Sequence, residues 1–449
     1  MKRLVLILFV LMWLAGCGGE QTAVSPTTAP VLPTATSLPT VAATPTTAAE
    51  PATATPESVA AAPATETAVP TPDLVAMTAT PVAVVPDAER PLLSVVTQPD
   101  YAESECSDKY PCNEDIAAWE ARIQVPDGFQ ASYYARVDAK PTAMTFGPDG
   151  LIYIATLDGR ILTLDSSGQV TTMLEGLLVP TGLAFQPGTN NLYIASRVSN
   201  DGIGGEAQIS LWRNGELRQI VGGLPCCYTS LHAANGIAFG PDGYGYVGVG
   251  GRADHGEILV EGPNQGKQDE LQPLEASIVR FSPDGSEVSA YARGLRNAYD
   301  VAWDANGRLY ATDNSPDFGP PDELNLVEPG KEYGYPWFDC GSCFSPPPGI
   351  EITPPIHEFI PHSAPTGVTT YLAEQFPGFY NGVFAVLWSA FPGAQKVVYF
   401  DEGGVNATDF ALGFAQPMDV AVGSEGSLYV VDHATGIIFR IDYVGQGEG

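Results

Sequence analysis

His232 and Arg296 are the side chains here best suited to moving a proton off a substrate and steadying the charge left behind. An imidazole near neutral pH is the side chain most used as a general base, and a guanidinium stays cationic throughout the physiological range. Asn297 adds an amide next to Arg296. These residues are far apart in the chain, so any shared chemistry needs a fold that gathers them.

A repeat supplies such a fold. One phrase recurs: a Pro or small residue opens an alternating apolar run, a turn rich in Pro, Asp, Asn and Gly follows, and a second apolar run closes it. Pro141–Phe146 leads through Gly147-Pro148-Asp149-Gly150 to Leu151–Ala155. The phrase returns at Pro180–Phe185, Ala234–Phe239, Ala298–Trp303, Pro365–Thr370 and Pro417–Val422, each with its second run behind it. Asp-Gly and Asn-Gly between alternating runs are strong hairpin signals. Further strand-like pieces such as Arg160–Leu164 and Ile437–Ile441 fill the intervals. Six units of about four strands predict an all-β, six-bladed β-propeller over residues 125–445, and fit it better than a two-sheet sandwich. A seventh blade would require residues 91–135, which lack the phrase.

In a propeller the strand nearest the axis comes first in each blade, so the residues before each phrase gather at one channel mouth. One place before it stand Lys140, Val179, Ala233, Asn297, Ala364 and Gln416; two places before it stand Ala139, Leu178, His232, Arg296, Ser363 and Ala415. His232 and Arg296 therefore hold equivalent places in successive blades. Returning loops add Arg252, Asp254 and His255, and the run Asp313–Asp317. The set suits a catalytic mouth. It equally suits polar caps on strand starts, satisfied by backbone carbonyls.

Around these residues the chain resembles the glucose/sorbosone dehydrogenase family, the soluble six-bladed quinoprotein sugar dehydrogenases and their relatives, over about residues 125–445. The resemblance rests on Gly294-Leu295-Arg296-Asn297 with Asp300–Trp303, on Asp322–Leu326, on Tyr333–Trp337, on His232 ahead of Asn235–Gly243, and on Ala364–Gly367 leading to Phe376-Pro377. It implies pyrroloquinoline quinone and calcium (Ca2+) over the mouth. His232 would be the base taking the sugar's hydroxyl proton, with Arg296 and Asn297 against the cofactor's reactive carbonyl. Calcium would lie among the backbones of Ser315 and Pro316, the Asp322 carboxylate and the Tyr333 backbone, oxygen donors of the kind it prefers; Asp322 also reads as a turn cap. Leu231 stands where the best-known members carry an acid, Gln416 where blade six often carries Arg, and Trp388-Ser389 where a cation would help hold a tricarboxylate. Lys140, Arg252 and Lys396 are the candidate replacements, giving Lys140, Arg252, Arg296, Asn297 and Gln416 as the cofactor-binding set.

The ends and composition set the context. Lys2 and Arg3 precede an apolar run, Leu4–Leu14, that is too short to span a bilayer and reads as a signal peptide over residues 1–16. Leu14-Ala15-Gly16-Cys17 resembles a bacterial lipobox, with Cys17 lipidated and the protein held outside the cytoplasm by that lipid alone. Residues 17–90 form a Thr/Pro/Ala-rich tether that cannot bury enough surface to offset its ordering entropy. Residues 91–124 form an N-terminal extension. Against 52 Asp plus Glu there are only 20 Lys plus Arg, a net charge of −32, which argues against a nucleic-acid partner. The six Cys beyond Cys17 suggest disulfides, with nearest-neighbour pairs Cys106–Cys112, Cys226–Cys227 and Cys340–Cys343 among 15 connectivities; Cys340 and Cys343 also allow a zinc site.

Three readings of function follow. The first is a sugar dehydrogenase using the quinone, calcium and an unidentified electron acceptor. The second is a surface-displayed propeller that binds a glycan or protein without catalysis. The third is a calcium-dependent lactone hydrolase, for which Asp254, Asp313 and Asp432 are the candidate acids.

Overall fold

The computed structural model describes residues 106–198, 205–227, 231–254, 271–317, 319–337 and 349–445, with the backbone of residues 85 and 86. The signal peptide, Cys17, most of the tether, His255 and the Cys340–Cys343 pair lie outside the described residues.

The second run of each phrase is buried along its whole length in all six copies: Ile152–Thr156, Leu192–Arg197, Gly245–Val249, Leu309–Asp313, Val383–Leu387 and Leu428–Asp432. A strand covered on both faces needs a near-continuous apolar sequence, and phrases such as Leu192-Tyr193-Ile194-Ala195 provide it. Each of these strands is second in an antiparallel sheet whose first strand is the opening run of its phrase. The six first strands pack side by side in a closed ring, making a six-bladed propeller.

Aromatic residues join neighbouring blades at four seams. The Tyr of a second strand meets the residue ending the next blade's first strand, edge to face. Tyr153 meets Phe185 at 4.9 Å, Tyr193 meets Phe239 at 4.9 Å, Tyr246 meets Trp303 at 5.0 Å, and Tyr429 meets Phe146 at 5.1 Å across the closing seam. Such pairs add about 0.5–1.5 kcal/mol beyond area burial. Three of these tyrosines also donate to the acid of their own turn: Tyr153 to Asp149, Tyr246 to Asp242 and Tyr429 to Glu425.

The ring closes with an early piece of chain. Phe129–Arg136 pairs antiparallel with Ile437–Tyr443 as the outermost strand of blade six. It completes a blade and does not begin a seventh. In blade four the outer strand is only His357–Glu358, with Val85–Pro86 lying parallel beyond it.

Helix α1 (Ile116–Arg122), capped by the Asp115 side chain, leads into this closing strand. Trp119 is fully buried and shares an apolar cluster with Phe410 and Phe414 at the end of blade five and with Val430 and Phe439 of blade six. Arg122 donates to the Gly413 carbonyl at 2.7 Å, and Gln124 forms a bridge with Leu412. Cys106 and Cys112 are bonded, and so are Cys226 and Cys227. The extension is thus a clip across the seam between blades five and six. Trp119→Ala is expected to cost about 3–5 kcal/mol, the usual loss for a large aromatic truncated in a core. Urea unfolding checks it, and a loss under about 1 kcal/mol would show that the clip does not hold the seam.

Candidate active site

The carbonyl of each first strand's opening residue reaches toward the preceding blade. Thr142 donates to Pro180 O at 2.5 Å, Thr181 to Ala234 O at 2.7 Å, Asn235 to Ala298 O at 3.2 Å, Asn314 to Pro365 O at 2.8 Å, and His433 Nδ1 bonds Pro141 O at 2.7 Å. Five of six seams carry this bond. At the sixth, between blades five and six, the buried Thr366 hydroxyl has no hydrogen-bond partner among the described residues.

The residues that begin these strands line one mouth. His232 and Arg296 are both buried, at 8% and 3% exposure. Arg296 is held on several sides: Nη2 donates to Asp254 Oδ1 at 2.6 Å, Nη1 to the Asn314 and Ser315 carbonyls at 3.0 Å each, and Nε to the Asp254 carbonyl at 3.2 Å. Its backbone N–H and that of Asn297 donate to the two oxygens of Asp313. Asn297 Oδ1 accepts from Asn235 Nδ2 at 2.9 Å, which ties blades three and four together behind His232. Gly250 leaves room for this contact: a Cβ there would lie 2.9 Å from Asn297 Oδ1 and 3.2 Å from the His232 backbone.

Burial lowers the His232 pKa well below its ordinary value, the Arg296 charge lowers it further, and Asp254 opposes both. His232 is therefore a neutral imidazole at neutral pH, able to accept a proton.

The other residues singled out in the sequence are placed as follows. Asp322 accepts from the Ser315 and Ala364 N–H groups at 2.9 Å each and from the Ser363 hydroxyl at 3.3 Å, so it pins loops of blades four and five. The Pro316 carbonyl accepts the Gly319 N–H at 3.0 Å. Tyr333 stands apart from this loop in its bonding: its N–H goes to Arg293 O and its hydroxyl to Leu326 O. Arg252 is paired with buried Glu275 at 2.8 Å, and Lys396 with Asp409 at 2.6 Å. Lys140 is exposed, while Gln416 is buried and takes the His433 N–H on its carbonyl. Of the acids a lactone hydrolase would need, Asp254 is committed to Arg296, Asp313 to two backbone N–H groups, and Asp432 to those of Ala415, Gln416 and Thr435. Among the described residues no three His, Cys, Asp or Glu converge as a metal-binding group.

Below the mouth lies an axial cavity of about 210 Å³ lined by the first strands of all six blades. Asp300 and Asp419 face it, each at the third place of its strand. Asp300 accepts the Val368 N–H of blade five and Asp419 the Met144 N–H of blade one. Gly236 makes the space, since a Cβ there would come within 1.8 Å of Asp300 Oδ1. Sequence reasoning passed over this pair, although both stand two residues after the opening residue of a phrase.

The sequence model of the glucose/sorbosone dehydrogenase family matches residues 138–440, two thirds of the chain. The chain belongs to that family. A Borreliella burgdorferi protein of uncharacterised function is 25% identical over 374 residues, 73% of this chain and 93% of that one. The aldose sugar dehydrogenase YliI of Escherichia coli is 24% identical over 352 residues, 67% of this chain and 89% of that one. The fold is also that of a Thermus thermophilus protein described as a glucose dehydrogenase (23% identity, TM-score 0.54, 70% of this chain and 99% of that one). It is likewise that of the PQQ-bound aldose sugar dehydrogenase of Streptomyces coelicolor (21% identity, TM-score 0.53, 71% of this chain and 99% of that one).

Buried carboxyls set a pH dependence. Burial pushes Asp322 up to about 6 and both Asp313 and Asp419 up to about 7, with backbone N–H donors opposing it in each case. Unfolded carboxyls titrate near 4. Folded values above the unfolded one mean that stability present below about pH 4 is lost as pH rises through 6 to 7. The melting temperature of the metal-free protein is therefore expected to fall between pH 5 and pH 8 in a thermal series. A rise over that window would contradict these assignments.

Proposed function

We propose that this chain is a dehydrogenase of an aldose or similar sugar, working with pyrroloquinoline quinone and calcium, with His232 as the general base. The observation that carries the reading is a neutral, buried His232 in the blade next to Arg296, whose guanidinium is immobilised at the same mouth. Family membership supports sugar oxidation in general. The names of the relatives, an aldose sugar dehydrogenase among them, support it further.

The residues present fit the reacting end of such a cofactor. The Arg296 guanidinium is fixed at the mouth by its bonds to Asp254, Asn314 and Ser315, and the buried Ser315 hydroxyl beside it has no partner among the described residues. Arg296, Asn297 and Ser315 would hold that end, and exposed Lys140 would face its carboxylates. When bound, the quinone supplies a hydride acceptor and calcium polarises its carbonyl.

His232 accepts the proton of the sugar hydroxyl whose carbon is oxidised. Arg296 steadies negative charge where it develops, and its four bonds to Asp254, Asn314 and Ser315 keep it from reorganising during the step. Leu231 and Ala233 beside His232 carry no charge that would raise its pKa. The Leu14–Cys17 motif supports attachment to a membrane by lipid, with the long tether carrying the mouth out toward sugars and an electron acceptor outside the cell.

One observation favours a second reading, a propeller that binds a glycan or protein without oxidising it. Arg252 and Lys396, two of three candidate cations, are spent on Glu275 and Asp409. Calcium binding without quinone binding, measured by calorimetry, would select this reading.

His232→Ala is expected to lower kcat by about 10²–10⁴-fold, the usual contribution of a positioned base. The acid limb of the wild-type rate profile is expected below about pH 6.5, the ordinary histidine value, because the His232 pKa is lowered. Dye reduction after reconstitution with quinone and calcium, read against pH and a panel of aldoses, measures both. A variant as active as wild type, or an acid limb above about pH 7, would remove His232 from the role.

A further inference from the structure

Arg296 is fixed by its own bonds. The place of His232 depends on the chain that leads into it, and that chain comes from blade two. The outer strands of blade two, Gly205–Arg213 and Glu216–Cys226, have nine and eleven residues and are the longest among the described residues. Arg197 ends the blade's second strand opposite Ala207, and Leu224 stands opposite the same Ala207 on the other side. Beyond that row Pro225 pairs with Glu206 and Cys226 with Gly205, so the outer ribbon runs two rows past the end of the second strand. Strand directions alternate from a first strand that starts at the mouth, so the fourth strand ends there. The ribbon therefore rises at the rim beside blade three.

Its tip is Cys226, bonded to Cys227. Both are fully buried. They share one apolar cluster with Ala233 and Ala234, the two residues after His232, and with Val249, which pairs with Ala234. Four residues, 228–231, separate Cys227 from His232.

A disulfide restrains the unfolded chain by an amount that grows with the loop it closes. Adjacent cysteines close the smallest loop possible, so this bond adds little by that route. Its effect lies in the folded protein, where the ring it makes locks two consecutive residues. A catalytic side chain must be held to within about 0.5 Å of its productive place. Downstream of His232, the Ala233 carbonyl takes the Gly250 N–H at 2.8 Å. The disulfide is the matching anchor upstream.

We propose that the Cys226–Cys227 disulfide is a positioning element for His232, fixing the point from which the chain enters blade three and keeping the imidazole buried at the mouth. The proposal rests on His232 as the base and adds what holds it. Neither sulfur takes part in proton transfer; both act through His232.

Full-length Cys226→Ala/Cys227→Ala is compared with wild type. Peptide mass first establishes the bond in wild type, and free thiols at both positions overturn the proposal. Histidine ring signals are then followed against pH by NMR in the quinone-free protein, where His232→Ala identifies the signal of interest among five histidines. In wild type, burial and the Arg296 charge hold His232 below its ordinary value, with Asp254 opposing. In the double variant the midpoint is expected to move up toward about 6.5, the ordinary value, as water reaches the ring. In the reconstituted variant kcat is expected to fall about ten- to a hundredfold, with KM changing less than about threefold. Leu224→Ala, in the same cluster but outside the ring, is the control for lost packing: it lowers the melting temperature and leaves the midpoint in place. A midpoint unmoved in the double variant, or moved equally by Leu224→Ala, overturns the proposal. If the double variant does not fold, Cys226→Ser/Cys227→Ser, closer in volume, is titrated in its place. Failure of both to fold makes the bond a condition of folding and also overturns the positioning role. A moved midpoint in a protein that reduces no dye, or whose kcat is unchanged, upholds the positioning and defeats the reading of His232 as the base of a dehydrogenase.

Discussion

A ring of blades closes only if each seam is satisfied, and everything at the mouth depends on that. The opening carbonyl of each first strand is answered by the preceding blade at five of six seams: by Thr142, Thr181, Asn235, Asn314 and His433. A buried carbonyl left without a donor costs about 1–3 kcal/mol, more than a typical bond contributes in net stability. The aromatic pairs one layer outward repeat the arrangement in apolar form. Between blades five and six the inner bond is absent among the described residues, and there the N-terminal extension lays Trp119 and Gln124 across the outside.

The same groups position the side chains proposed for the chemistry. Asn235 bonds Ala298 to join blades three and four and also bonds Asn297 beside Arg296. Asp313 gathers the two N–H groups that introduce Arg296 and Asn297, and Asp432 gathers those of Ala415 and Gln416 in blade six. A buried guanidinium held by four bonds cannot swing toward bulk water. It acts as a preset charge next to a histidine that burial keeps neutral. Truncating either member of the buried Arg296–Asp254 pair would leave an uncompensated charge, which is why such pairs persist although they add little to stability.

The fold was legible because its period is written in side chains with physical work to do. Gly at the turns, Tyr on five of the six second strands and an aromatic at the end of four first strands recur, and at four seams the Tyr and the aromatic meet. Counting back from the repeat put His232 and Arg296 in successive blades, where the structure also has them. Features without period were not legible. Phe129–Arg136 carries no turn phrase to mark it as the last strand of blade six, and α1 is only seven residues long. The fates of Arg252 and Lys396 depended on Glu275 and Asp409, partners fixed by loop and cross-strand geometry. Cys226 and Cys227 were legible as a pair, but not the ribbon that carries them to the rim beside His232.

The central claim is that this mouth oxidises a sugar with His232 taking the proton. A single-turnover experiment tests it most directly. Full-length protein loaded with pyrroloquinoline quinone and calcium is mixed with an aldose, and the quinone absorbance is followed without dye. The account predicts that bound quinone is reduced in one phase in wild type, and at least about a hundredfold more slowly in His232→Ala with quinone still bound. Quinone that binds but is not reduced by any aldose, or is reduced equally fast in the variant, would contradict it.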